Sequence, residues 1–168
     1  MCFKKNKRGK VLVLIDWENL SKSVITTFRI TERYSELQEL NKVIEKIADE
    51  VGDIYKVKVF CPLHQASLWG KDFYKLGFFI EFCPPSDDKK GEEEDTTDKI
   101  LMAYGRKDLE GVRGLTHFCL GSGDQDFIPL LREAKWMGKK TIIIAGSLKS
   151  LAKEVIPYAD KIYFLFEN

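Results

Sequence analysis

"VLVLI", residues 11–15, is apolar at every position and stops at Asp16. A strand with one face in water alternates apolar and polar residues, so an unbroken run fits a strand covered on both faces, as in a parallel sheet. "TIIIA", residues 141–145, has the same character. Mixed apolar runs predict four more strands, at Ile54–Cys61, Phe78–Phe82, Thr116–Leu120 and Lys161–Phe166. Helical patterns lie between them. In "SELQELNKVIEKIADEVG" Leu37, Leu40, Val43, Ile44, Ile47 and Val51 share one stripe, and Gly52 stands where a C-cap is expected. "DFIPLLREAKWMG" repeats the plan, with Pro129 in the first turn and Gly138 just past the end. Further helices are predicted near 66–76, 97–110 and 148–155, with a short one after Asn19. Strand and helix alternate throughout, which predicts a three-layer α/β domain with a mainly parallel central sheet and helices on both faces.

A chain of 168 residues suits one domain, and 44% hydrophobic with 32% charged residues argues against disorder. Residues 1–9 read as a basic tail and residues 10–168 as the domain. A net charge of +1 leaves no global field to attract a polyanion, so a nucleic-acid partner must be met by a local patch. Lys4, Lys5, Lys7, Arg8 and Lys10 are the candidates for phosphate contact. The apolar run before Asp16 is shorter than the roughly 7 residues of a secretory core or the roughly 20 of a membrane span. A soluble, cytoplasmic protein with no membrane partner is expected. Cys2, Cys61, Cys83 and Cys119 form no CxxC pair, which fits reduced thiols. Cys61, His64 and Cys83 have no evident fourth ligand for structural zinc. "CPPSDDKKGEEEDTTD", residues 83–98, reads as a polar surface loop leading into a helix, with Glu92–Glu94 facing water.

In open α/β sheets the ligand crevice lies beyond the carboxyl ends of the parallel strands. Asp16 sits at that end of the first strand, and "LGSGDQDFIPLL", residues 120–131, sets Asp124 and Asp126 just past the fourth. Asp98 opens the helix after the acidic loop. Four carboxylates from three segments can therefore meet. Like charges held together raise one another's pKa or recruit a cation, and carboxylate oxygens suit Mg²⁺ or Mn²⁺ better than zinc. Such an ion polarises a phosphodiester and activates water. Each acid also has a structural alternative. Asp126 is placed to cap the helix from Phe127, Asp16 can cap the next helix, and Asp95 or Asp98 can cap the helix they precede. Asp124 has no capping role evident from sequence. Asn19 can hold Asp16 or touch a phosphate, and Ser122 can bond a carboxylate, a phosphate or only its own turn. His64 and His117 are not required, and His117 reads as a packed strand residue.

The same residues carry a family likeness. "VLVLIDWENL" (11–20) resembles the opening strand–Asp–x–x–Asn of NYN domains, the LabA/DUF88-like members of the PIN-like nuclease superfamily. "LGSGDQDFIPLLREAKWMGKKTIIIAG" (120–146) is similar to their SGDxDFxPLL…GK segment, and "LAKEVIPYADKIYFL" (151–165) to their closing element. The resemblance implies a Rossmann-like fold and a Mg²⁺- or Mn²⁺-dependent ribonuclease cleaving RNA. It also implies metal-site roles for Asp16, Asp98, Asp124 and Asp126, with Asn19 and Ser122 supporting. The alternative is a catalytically degenerate module that binds RNA or a protein partner, or self-associates. Its motive is "EEEDTTDKILMAY", where Tyr104 falls about where the family often has a further Asp.

Overall fold

A computed structural model describes residues 8–25, 33–85 and 96–166. Its strands are β1 (Gly9–Asp16), β2 (Gly52–Pro62), β3 (Phe79–Cys83), β4 (His117–Gly121), β5 (Lys140–Ala145) and β6 (Lys161–Phe164). They form one sheet in the order β3-β2-β1-β4-β5-β6, and every neighbouring pair is parallel. The helices are α1 (Trp17–Ile25), α2 (Arg33–Glu50), α3 (Ala66–Lys75), α4 (Thr97–Gly111) and α5 (Ile128–Trp136). None of the described helices is long and apolar enough to cross a membrane.

The unbroken apolar runs are explained by burial on both faces. Val11 to Ile15 are fully buried. Val11, Val13 and Ile15 join a core with Leu20 of α1, Ile47 of α2 and Phe73 of α3, whereas Leu12 and Leu14 join Leu101 of α4 and Leu130 of α5. Each such side chain contributes about 1.5–3 kcal/mol on leaving water, which is why these strands tolerate no polar alternation. Cys61 and Cys83 enter opposite layers, and His64 is exposed, so the three do not assemble a zinc site.

Two local expectations are corrected. Gly52 is not a helix cap but the first residue of β2, opposite Gly9. A Cβ there would lie 2.1 Å from the Gly9 carbonyl oxygen, so glycine is required by the close approach of two strands. Gly52→Ala is expected to cost about 1–3 kcal/mol in urea melts. Gly111→Ala, at a site with nothing within 4 Å, should change stability by no more than about 0.5 kcal/mol. The predicted helix at 148–155 is instead two 3₁₀ turns, Leu148–Ser150 and Lys153–Tyr158. The break falls where the Ala152 N–H turns away to the Gly123 carbonyl at 2.9 Å.

The basic cluster also moves. Arg8 pairs with Asp53 at 3.3 Å, and Lys10 donates to the Arg113 carbonyl at 2.8 Å. Both are at the start of β1, and Lys10 lies six residues, roughly 20 Å of strand, from Asp16. They are at the wrong edge of the sheet to contact a phosphate held by the acids. Cys2, Lys4, Lys5, Lys7, Glu92–Glu94 and Asp95 lie outside the described residues.

Candidate metal centre

Sheet growth reverses between β1 and β4, the place where α/β folds open a crevice at the carboxyl edge. Ile15 pairs with Gly121, so the chain leaves both strands side by side, at Asp16 and at Ser122. From β1 it turns directly into α1. Asp16, 5% exposed, accepts the Asn19 N–H through Oδ1 at 3.3 Å and so caps that helix. Trp17, fully buried, packs edge-on against Trp69 and Phe73 at 5.0 and 5.1 Å, anchoring the residue after Asp16.

From β4 the chain makes a tightly tied turn. Ser122 is fully buried, and its Oγ accepts the Asp124 N–H at 3.2 Å. Gly123 is held on both sides of its residue: its N–H donates to Asn19 Oδ1 at 3.1 Å and its carbonyl accepts the Ala152 N–H at 2.9 Å. Through this oxygen Asn19 joins α1 to the turn after β4. Asp124 Oδ1 accepts the Asp126 N–H at 3.0 Å and caps the 3₁₀ turn Gln125–Phe127, which runs into α5. This overturns the assignment of the cap to Asp126. Counting the helix from Phe127 missed the 3₁₀ turn, which starts two residues earlier and moves the cap to Asp124.

Asp98 arrives from the other direction, in the first turn of α4. The N-cap residue there is Thr96, whose hydroxyl donates to the Pro84 carbonyl at 2.5 Å and ties the exit of β3 to the helix start. One carboxylate oxygen from each of Asp98, Asp124 and Asp126 lies within 4.8 Å of the others. Asp98 and Asp124 are partly buried and Asp126 is exposed. Asp16 stands outside this set of three. At such a separation two full negative charges repel by about 1 kcal/mol in a water-like dielectric and about 3.5 kcal/mol at an effective value of 20. A divalent cation relieves that repulsion, and three hard oxygen donors match Mg²⁺ or Mn²⁺ in chemistry.

Farther along α4, Tyr104 has partners on β2 that the sequence did not single out. Lys58 Nζ sits 3.3 Å from the centroid of the Tyr104 ring and pairs with Glu81 at 3.0 Å; Phe60 packs 5.8 Å from the same ring. Tyr104 is thus engaged in a cation–π contact where the family resemblance had suggested a further acid. Lys56, Lys58 and Phe60 alternate along β2, the period-2 signal that places them on one face. His117 shares a hydrogen bond with the Thr116 hydroxyl at 2.7 Å, at the amino end of β4. Burial, and next the Lys140 charge, hold its pKa below the usual histidine range. It has no place near the carboxylates.

The fold is shared with a crystallised protein of unknown function from Vibrio parahaemolyticus, with a TM-score of 0.78 over 98% of each chain at 15% identity. No curated protein matches the sequence. Residues 10–166 match the NYN domain, a PIN-like superfamily domain, and the chain belongs to the NYN family.

Proposed function

We propose that this NYN domain is a ribonuclease that hydrolyses RNA phosphodiester bonds with Mg²⁺ or Mn²⁺. The observation that carries the reading is the approach of Asp98, Asp124 and Asp126 to within 4.8 Å at the crevice of a parallel sheet. These three hold the cation, and Asp16 adds negative charge from the buried end of β1. When bound, the ion polarises the phosphodiester and makes a water nucleophilic at neutral pH. The protein's own contribution is positional. Ser122 fixes the Asp124 backbone and Asn19 fixes the Gly123 peptide, so the carboxylates are set before a cation arrives. A cytoplasmic location and LabA/DUF88-like kinship belong to the same reading, supported by the sequence motifs and the absence of CxxC spacing.

A second reading, an RNA-binding module without catalysis, is favoured by the Lys58–Tyr104 contact, because an aromatic ring cannot ligate a hard cation. One experiment separates the two. Purified protein is incubated with single-stranded and structured RNA in Mn²⁺, Mg²⁺ or EDTA. Cleavage at least about a hundredfold faster with metal than with EDTA is expected. RNA bound but uncut in every metal would select the second reading instead.

A further inference from the structure

The acids can hold a cation, but the cationic contacts that would hold the flanking RNA are not at the start of β1. They have a better source on the other side of Gly123. After β5 the chain enters the turn Ser147–Ser150, in which the Ser147 N–H donates to Ser150 Oγ at 3.0 Å and that hydroxyl donates back to the Ser147 carbonyl at 2.9 Å. This locked turn packs directly on the acidic site. A Cβ on Gly123 would fall 2.2 Å from the Ser150 carbonyl oxygen, and Ala152 bonds the Gly123 carbonyl. Lys149 precedes Ser150 and Lys153 follows Ala152. Both are exposed, and neither forms an ion pair with a described residue. Since Asp124 follows Gly123, each lysine starts within about 12 Å of it, counting 3.8 Å per Cα step and one packing contact.

We propose that Lys149 and Lys153 bind the backbone phosphates flanking the cleaved bond of a single-stranded RNA, so that the strand runs from the carboxylates across the turn after β5. The inference rests on the ribonuclease reading for which bond is cut, but not for the binding itself. Two strongly hydrated ammonium groups beside a cluster of three carboxylates give the crevice a divided field: the acids take a metal ion, and the lysines take the neighbouring polyanion. The overall charge of +1 hides this arrangement because it is local.

The test measures binding of a fluorescent single-stranded 12-nucleotide RNA in EDTA over a range of salt, and separately its cleavage in Mn²⁺. For the pair Lys149→Ala/Lys153→Ala, binding should weaken about tenfold and the slope of log K against log salt should fall by about 1.4, two single-strand phosphate contacts. KM for cleavage should rise by a similar factor, with kcat within about twofold. Lys107→Ala, on the far part of α4, should bind like the wild type. Equal affinity and equal slope for wild type and the double variant would overturn the proposal, even if the RNA is cut. Binding lost in the double variant while the wild type never cuts would leave the strand path standing and remove the nuclease reading. A wild type with no affinity for RNA overturns both.

Discussion

Asp124→Asn is expected to lower metal-dependent RNA cleavage by roughly a thousandfold or more while leaving thermal stability nearly unchanged. The two halves of this prediction come from the two jobs of one side chain. Asp124 caps the turn leading into α5 by accepting the Asp126 N–H at 3.0 Å, and its carboxylate is also one of three that meet within 4.8 Å. Asparagine is as good an N-cap as aspartate, since its carbonyl oxygen accepts the same bond, so the turn survives. What is removed is a negative charge, and with it one hard anionic donor and part of the repulsion that draws a cation in. Asp124→Ala separates the roles in the opposite sense, losing both charge and cap, and should cost about 0.5–2 kcal/mol of stability as well. The measurements are single-turnover cleavage, a thermal melt, and Mn²⁺ titration by calorimetry. The titration reports the site without relying on turnover, and Mn²⁺ affinity should drop at least about tenfold. Wild-type Mn²⁺ affinity and wild-type cleavage in Asp124→Asn would remove the metal centre from this place in the fold.

How far the sequence discloses this site depends on what kind of interaction fixes each residue. Val11–Ile15 announce their position because burial on both faces forbids polar residues, and that constraint is written locally. The arrival of Asp98 beside Asp124 follows from topology, since α4 begins at the carboxyl edge to which β4 also delivers its turn. The role of Gly52 was not legible in this way. Its need for a missing side chain comes from Gly9, 43 positions away in sequence, and periodicity carries no trace of such a partner. The same holds for Asn19, whose oxygen meets the Gly123 N–H across 104 positions, and for Lys58 over Tyr104. Asp124 illustrates a finer limit. A 3₁₀ turn of three residues has no stripe to detect, so the sequence reading places the cap two residues too late. Residues held by short-range periodicity could be read, whereas those held by a single distant contact could not.

Gly123→Ala should damage both activity and stability, because this residue is where the distant contacts meet. Its ideal Cβ would lie 2.2 Å from the Ser150 carbonyl oxygen and 3.0 Å from the Leu151 Cα. The atoms in the way are backbone, and the turn that carries them is locked by the Ser147–Ser150 bonds, so no side chain can rotate to make room. The chain must instead pull the turn after β4 away from the turn after β5. That movement stretches the Ala152–Gly123 bond and the Asn19–Gly123 bond together, and Asp124 shifts with its neighbour. Overpacking of this kind costs about 1–3 kcal/mol, and misplacing a reacting group by about 1 Å costs about a hundredfold in rate. Gly105→Ala provides the contrast. There the nearest atoms, at 2.7 and 3.0 Å, are the two methyls of Leu130, which can rotate aside, so a smaller loss of stability and unchanged cleavage are expected. Asn19→Ala isolates one arm of the clamp: it keeps the space around Gly123 but leaves its N–H without the acceptor, at about 1–3 kcal/mol. Its cleavage rate should fall between those of the wild type and Gly123→Ala. If Gly123→Ala melts like the wild type and cuts RNA at the wild-type rate, the close contact between the two turns does not set the position of Asp124.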